Sequence, residues 1–282
     1  MRIARIAGPS GPRYAIQGGD DSWIDLEDAG IEAQTIGELA AASDALAELD
    51  VSSLSDGVRD PEFLAPVVAP GKVMAIGLNY ADHIRETNSE SPPNPILFMK
   101  ANTSITGPEA DIVVDPEMTA MADYENELTV IIGQRSKGIS QDEALGAVFG
   151  YTIGNDVTAR DCMKSDGQLV RSKSFDTYCP IGPWITTADE VPDPQDLRIR
   201  TTVNGEVRQD SSTAEMVYPV DYLIHFLARG MTLEPGDVLL TGTPHGVGFV
   251  MDPPRFLSPG DVVECEVEGL GTLRNRVVGP NG

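Results

Sequence analysis

What most limits the fold of this chain is a succession of short apolar runs, broken by Gly, Pro and Asn-Gly, that begins near residue 70 and lasts almost to the end. KVMAIG, PILFM, ELTVIIG, YTIGND, PIGPWIT, LRIRTTV, DVLLTG, DVVECEVEG and TLRNRVV all have strand length, and most are rich in β-branched residues. Hairpin signals join several of them: Asn204-Gly205 turns LRIRTTV back onto EVRQD, and GLG before Thr272 joins the last two strands. Beyond residue 70 the clear helical stretches are QDEALGAVF after Ser140 and PVDYLIHFLAR, which has Pro219 at its start and Gly230 just past its end. The pattern predicts a strand-rich α+β fold, mostly antiparallel with a few inserted helices, and disfavours a doubly wound sheet or an eight-fold βα barrel. Residues 1–68 alternate short apolar runs with Gly/Asp turns and carry one helical stretch, IGELAAASDALAEL. Pro66, Pro70 and Gly71 mark a boundary, which predicts a small N-terminal domain over 1–68 and a main domain over 69–282. The sequence contains no internal repeat or low-complexity tract.

Charge excludes one class of partner. With 44 acidic and 20 basic residues, a formal charge of −24, the surface repels phosphate and forgoes the counterion release that drives nucleic-acid binding. Only five of the basic residues are lysine, a composition that suits either high salt or a GC-rich genome. No stretch approaches the roughly 18 to 20 uninterrupted apolar residues of a membrane helix, and MRIARIAGPSGPRY lacks the apolar core of a signal peptide. The expectation is a soluble cytoplasmic protein. Cys162, Cys179 and Cys265 are odd in number and widely spaced, which predicts reduced, structural thiols. The first two fall near the motifs below.

Five segments carry chemistry. In DYENEL, Glu125 and Glu127 open an apolar strand, where period-two alternation puts both carboxylates on one face, roughly 6.5 to 7 Å apart at the backbone. Taken alone, such a pair is better explained by a solvated strand face. Asp156 in GNDVTARD follows an apolar run and by itself reads as a turn residue, but with the glutamates it completes three hard oxygen ligands for octahedral Mg2+ or Mn2+. Without a cation, three crowded carboxylates would repel one another. His83 and Glu86 in LNYADHIRETN stand three apart on one face of a short helix, the spacing of a carboxylate-oriented general base and also of a surface ion pair. Lys173, in VRSKSFDTYCPIGP, is placed to steady an oxyanion or a substrate carboxylate. LLTGTPHGVG, with Gly242, Gly246 and Gly248 around Thr243, lacks the Gly-Lys-Ser/Thr of a P-loop but offers amides and a hydroxyl to a carboxylate. His245 in that loop reads as a pocket wall, and His225, one position off the apolar stripe of its helix, as facing solvent or an interface. Neither is assigned to catalysis.

The combination of NYADH, YENEL, NDVTARD, KSFDT and LTGTPxGVG, in this order over roughly residues 70 to 278, resembles the fumarylacetoacetate hydrolase family, with its acylpyruvase and oxaloacetate decarboxylase relatives. The resemblance implies a mixed β-sandwich or β-roll with a few inserted helices, in a homodimer. It implies Mg2+ or Mn2+ on Glu125, Glu127 and Asp156, a water-activating His83–Glu86 dyad on a lid, and substrate contacts from Lys100, Lys173 and Thr243, with the Gly242 amide beside them. Some relatives carry Arg at Leu78 and Gln at Met163, so contacts to the substrate differ here. The implied function is metal-dependent C–C bond hydrolysis of a 2,4-dioxo acid (an acylpyruvate or diketo-deoxy sugar acid) to release pyruvate or a similar 2-oxo acid. Alternatives are oxaloacetate decarboxylation, 2-hydroxyhepta-2,4-diene-1,7-dioate isomerisation, dehydration of 2-keto-3-deoxy sugar acids, or non-catalytic metal binding. The implied partner is a small 2-oxo acid.

Overall fold

Nearly every residue of Asn126–Ile132, Val148–Asn155 and Cys179–Thr187 is buried, which explains why ELTVIIG reads as a continuous apolar run: these strands are covered on both faces. A computed structural model describes residues 1–19, 21–54 and 57–280. The three strands form the middle of a large mixed sheet ordered Trp23–Asp25, Arg13–Gln17, Arg2–Ile6, Cys179–Thr187, Val148–Asn155, Asn126–Ile132, Val238–Leu240, Val73–Gly77, Ile96–Met99. A second, five-stranded sheet runs Glu206–Ser212, Arg198–Val203, Val262–Val267, Gly271–Val278, Asp111–Val113. Most pairs are antiparallel; Val238–Leu240 on Val73–Gly77, Asp111–Val113 on Gly271–Val278 and the short Ile105–Thr106 on Cys179–Thr187 are parallel.

The two sheets share one core. Leu128, Val130 and Ile153 of the large sheet meet Ile199, Val263 and Leu273 of the smaller one, and helix Val220–Gly230 adds Leu223, Ile224 and Leu227 on its buried stripe. A second core covers the other face of the large sheet, where Ile36, Leu39 and Leu46 pack on Ile131, Ile185 and Leu240. The N-terminal segment therefore supplies strands to the large sheet, through Ile3 opposite Ile185, as well as a cover for it.

IGELAAASDALAEL is helical but broken at Ala42 into Ile36–Ala41 and Ser43–Ala47, the first opened by a Thr35/Glu38 capping box. The helix expected at QDEALGAVF is corrected: only Ala144–Ala147 form a single 3-10 turn, and Val148 and Phe149 continue into the long strand. The β-branched valine and the aromatic residue favour the sheet, and the Ala147 carbonyl is taken by the amides of Gly133 and Gln134. The Asn204-Gly205 turn is as expected, both residues having positive φ. The three cysteines are free and buried. Among the described residues no helix is long and apolar enough to cross a membrane.

At a formal charge of −24, surface pairs such as Arg198–Asp210 cannot offset the self-repulsion, since exposed pairs contribute little. The thermal unfolding midpoint is expected to rise as KCl goes from roughly 0.1 to 1 M, where the screening length drops from about 10 to 3 Å. A midpoint that falls with KCl would show that specific pairs outweigh net repulsion.

Candidate active site

Strand register assembles the three carboxylates. Asn126 lies opposite Asn155 and Glu127 opposite Gly154, so Glu125 and Glu127 at the start of one strand meet Asp156 at the end of its neighbour. Gly154 suits this position because a side chain there would run into Thr129 and Leu240. The turn is held by Asp156 N donating to the Glu125 carbonyl (2.8 Å) and Glu125 N donating to Asn155 Oδ1 (3.0 Å). One oxygen from each of Glu125, Glu127 and Asp156 lies within 4.8 Å of the others, and all three residues are buried.

Basic groups neutralise part of this charge. Lys173 Nζ donates to Glu125 Oε2 (2.5 Å) and Asp156 Oδ2 (2.6 Å). Lys100 Nζ donates to Asp156 Oδ1 (2.5 Å) and to the Lys173 carbonyl. Arg160 bridges Asp123 (2.9 Å) and Glu125 (2.5 Å). Burial pushes the Glu125 carboxyl up, but Lys173 and Arg160 outweigh it and hold the group at about 2. Glu127 goes the other way: burial first, then the charges of Asp156 and Glu125, raise it well above the ordinary carboxylate range. Among the described residues no ion pair reaches Glu127, whose side chain accepts from Gly242 N (2.7 Å). Three converging hard oxygens, one of them without an ion pair, fit a hard divalent cation.

Glu125, Glu127 and Lys173 open on a cavity of about 390 Å3 that His83, Arg160 and Thr243 also line, with apolar walls that include Leu78, Ile96, Met163 and Phe249. His83 lies on the short helix Ala81–Glu86, and its Nδ1 is 2.7 Å from Glu86 Oε1. With Nδ1–H donating to that carboxylate, Nε2 is left as the basic nitrogen.

The sequence-predicted residues thus split. Glu125, Glu127, Asp156, His83, Glu86 and Lys173 come together. Thr243 lines the cavity, but its hydroxyl donates to the Asn126 carbonyl (3.0 Å) and accepts from Gln209 (2.8 Å), which leaves one lone pair for a ligand. Gly242 and Lys100 stand behind the wall, on Glu127 and Asp156 respectively. His245 turns its ring to Asp82, and His225 is half-buried with Nδ1 2.7 Å from the Ile139 carbonyl. Burial pushes the Cys179 thiol up to about 12, so it is a neutral group in the core.

Sequence reasoning missed Arg160 and Asp123. Asp123 accepts from Arg160, Gly248 N (2.7 Å) and Phe249 N (3.1 Å), and Arg160 lies over the Phe249 ring. The available signal was an Arg within NDVTARD, next to an aspartate whose purpose the motif did not reveal.

Gly242 has φ +102, and an added Cβ would lie 2.8 Å from the Asn79 Cβ. Gly242→Ala is expected to destabilise the protein by roughly 1–3 kcal/mol and to pull the amide away from Glu127. Thermal unfolding checks it; an unchanged midpoint would mean that the loop relaxes freely.

Comparison with known proteins adds to this geometry. The family profile described as "Fumarylacetoacetate (FAA) hydrolase C-terminal" matches residues 72–278. The chain is 47% identical over 217 residues to the mitochondrial oxaloacetate tautomerase of Rattus norvegicus, covering 77% of this chain and 69% of that protein. Among solved structures it is similar to the fumarylacetoacetate hydrolase of Exiguobacterium antarcticum, with TM-score 0.89, 39% identity and 99% of each chain covered. It is likewise similar to the 2-hydroxyhepta-2,4-diene-1,7-dioate isomerase of Mycobacterium marinum, with TM-score 0.79, 37% identity and 100% of each chain covered.

Proposed function

Because the chain belongs to the fumarylacetoacetate hydrolase family, we propose that it is a Mg2+- or Mn2+-dependent enzyme that moves a proton at the carbon beside the 2-oxo group of a small 2-oxo acid. The observation that carries this reading is that Glu125 and Glu127, which with Asp156 form the carboxylate trio, open on the same cavity as the Glu86-oriented His83. The tautomerase and isomerase names of its relatives support proton transfer over bond cleavage.

Glu125, Glu127 and Asp156 would hold the cation, which supplies Lewis-acid polarisation of the 2-oxo carbonyl and so acidifies the neighbouring C–H. His83 Nε2 takes that proton while Glu86 stabilises the imidazolium through Nδ1. Lys173, whose ammonium lies on Glu125 and Asp156 and lines the same cavity, would offset the negative charge that gathers on the substrate oxygens. Leu78, Ile96, Met163 and Phe249 limit the water around the enolate. Protonation of the enolate oxygen by a water molecule gives the enol; in the reverse direction the enol O–H proton is lost to water and His83 delivers its proton to carbon to give the keto form.

A second reading is hydrolysis of a 2,4-dioxo acid between C3 and C4. The His83–Glu86 pair favours it, because the same nitrogen that takes a proton from carbon takes one from water. Attack at C4 then expels the same type of enolate. Decarboxylation of oxaloacetate would use the enolate without water. One assay separates them: purified protein with Mg2+ or Mn2+, monitored for decay of enol oxaloacetate absorbance and for pyruvate release from acylpyruvates and oxaloacetate. Faster enol–keto conversion without pyruvate supports the first reading. Pyruvate from acylpyruvates replaces it with the second, and inactivity on all of these substrates rejects both.

A further inference from the structure

The helix that carries His83 has six residues, Ala81–Glu86, too few to persist on its own propensity. Its place is set by Asn79, which precedes the helix, and by Asp82 and Glu86, which stand four apart on one face of it. Asn79 Nδ2 donates to the Thr241 carbonyl (2.8 Å) and the Tyr218 carbonyl (3.0 Å), and Glu86 Oε2 accepts from Gly246 N (2.9 Å). Asp82 stands between them. Its Oδ1 accepts from His83 N (2.7 Å) and His245 N (3.3 Å), and its Oδ2 from Ser211 Oγ (2.5 Å) and His245 Nδ1 (2.8 Å).

We propose that Asp82, gripped by Ser211 and His245, is the positioning residue that sets His83 over the carboxylate site. The inference rests on the reading of His83 and Glu86 as the proton-transfer pair. Asp82 is buried and spans three separate parts of the chain: the helix, strand Glu206–Ser212 and the loop after strand Val238–Leu240. Three of its four contacts, from Ser211 and His245, hold the end of the helix opposite to Glu86, so the imidazole is fixed between two anchors that both reach the loop carrying His245 and Gly246. His245 is the outer jaw. Its side chain is 45% exposed and directed at Asp82, which gives it a task without contact to substrate. Serine and histidine are both satisfied by the carboxylate, so this is no nucleophilic triad: the serine hydroxyl bonds Asp82, not the imidazole.

The test uses the Mg2+-loaded enzyme and the substrate it turns over fastest. Asp82→Ala is expected to lower kcat on the order of 10^2-fold with KM and the Mg2+ Kd unchanged, because the metal carboxylates lie on other elements. His245→Ala should lower kcat less, His245→Asn should recover much of it by supplying a donor near the Nδ1 position, and His245→Leu should not. His245→Ala in the Asp82→Ala background should add nothing, since both act through one carboxylate. Amide hydrogen exchange over residues 81–87 should accelerate in both single variants, a readout that needs no turnover. Unchanged kcat and exchange in His245→Ala, or equal loss from the two single variants adding independently, overturns the proposal. If the wild-type protein turns over no 2-oxo acid, the proton-transfer reading falls and takes this one with it, whatever the exchange data show.

Discussion

Glu127→Gln is expected to lower turnover sharply and abolish the response to Mg2+ while leaving the metal-free protein at least as stable as the wild type. The two effects have one cause. Glu127 is buried beside two other carboxylates, and among the described residues no ion pair reaches it. Its charge is unfavourable until a cation arrives, so its neutral isostere relieves repulsion in the metal-free protein and removes a ligand from the loaded one. Wild-type protein should gain about 2.7 kcal/mol of stability at a Mg2+ concentration 100 times its Kd, and the variant little or none. Turnover should fall by on the order of 10^3-fold, the rate equivalent of the several kcal/mol that a Lewis acid supplies. Glu125→Gln should lose metal and turnover similarly but with the opposite sign in stability, because Lys173 and Arg160 then face each other with one counter-charge fewer. Thermal unfolding with and without Mg2+, calorimetric titration and the enol assay read all of this. A fully active Glu127→Gln enzyme would place the metal elsewhere, and a metal-free variant less stable than wild type would mean that Glu127 is a structural acceptor.

His83→Ala is expected to cost roughly 10^2- to 10^4-fold in kcat with Mg2+ affinity retained. His83 lines the cavity but offers no atom to the carboxylate trio, so losing it removes a proton acceptor and leaves the ligand set intact. Glu86→Gln should have a smaller effect: the amide can still occupy the space between His83 Nδ1 and Gly246 N, but it no longer carries the charge that stabilises an imidazolium. Steady-state kinetics alongside Mg2+ titration separate the two. Wild-type turnover in His83→Ala would move the base to another residue, and loss of Mg2+ binding would assign His83 a structural part in the metal site.

Much of the site was legible because it depends on local periodicity. Two glutamates at i and i+2 share a strand face, and a histidine and glutamate at i and i+3 share a helix face, whatever the rest of the chain does. Glycines at 154 and 242 could be noticed, but their reasons could not: one makes room for Thr129 and Leu240, the other for Asn79. The helix expected at QDEALGAVF failed because Ala-rich composition is a weak prior when Val148 and Phe149 complete a buried strand. The family resemblance gave Lys100 and Lys173 the same part, a contact to substrate. Only the structure put one at the cavity and the other behind Asp156.

By itself the sequence determined which residue types were present at which local spacing: the strand-rich α+β class, the paired glutamates, the His83–Glu86 face and the glycine loop. Tertiary structure decided which of these meet. Asp82 touches Ser211 across 129 residues and His245 across 163, and Arg160 joins Asp123 to Glu125 across a two-stranded ribbon. Such contacts are non-local, and nothing in the spacing of the chain encodes them, because burial and strand register arise only when the two sheets close over a common core.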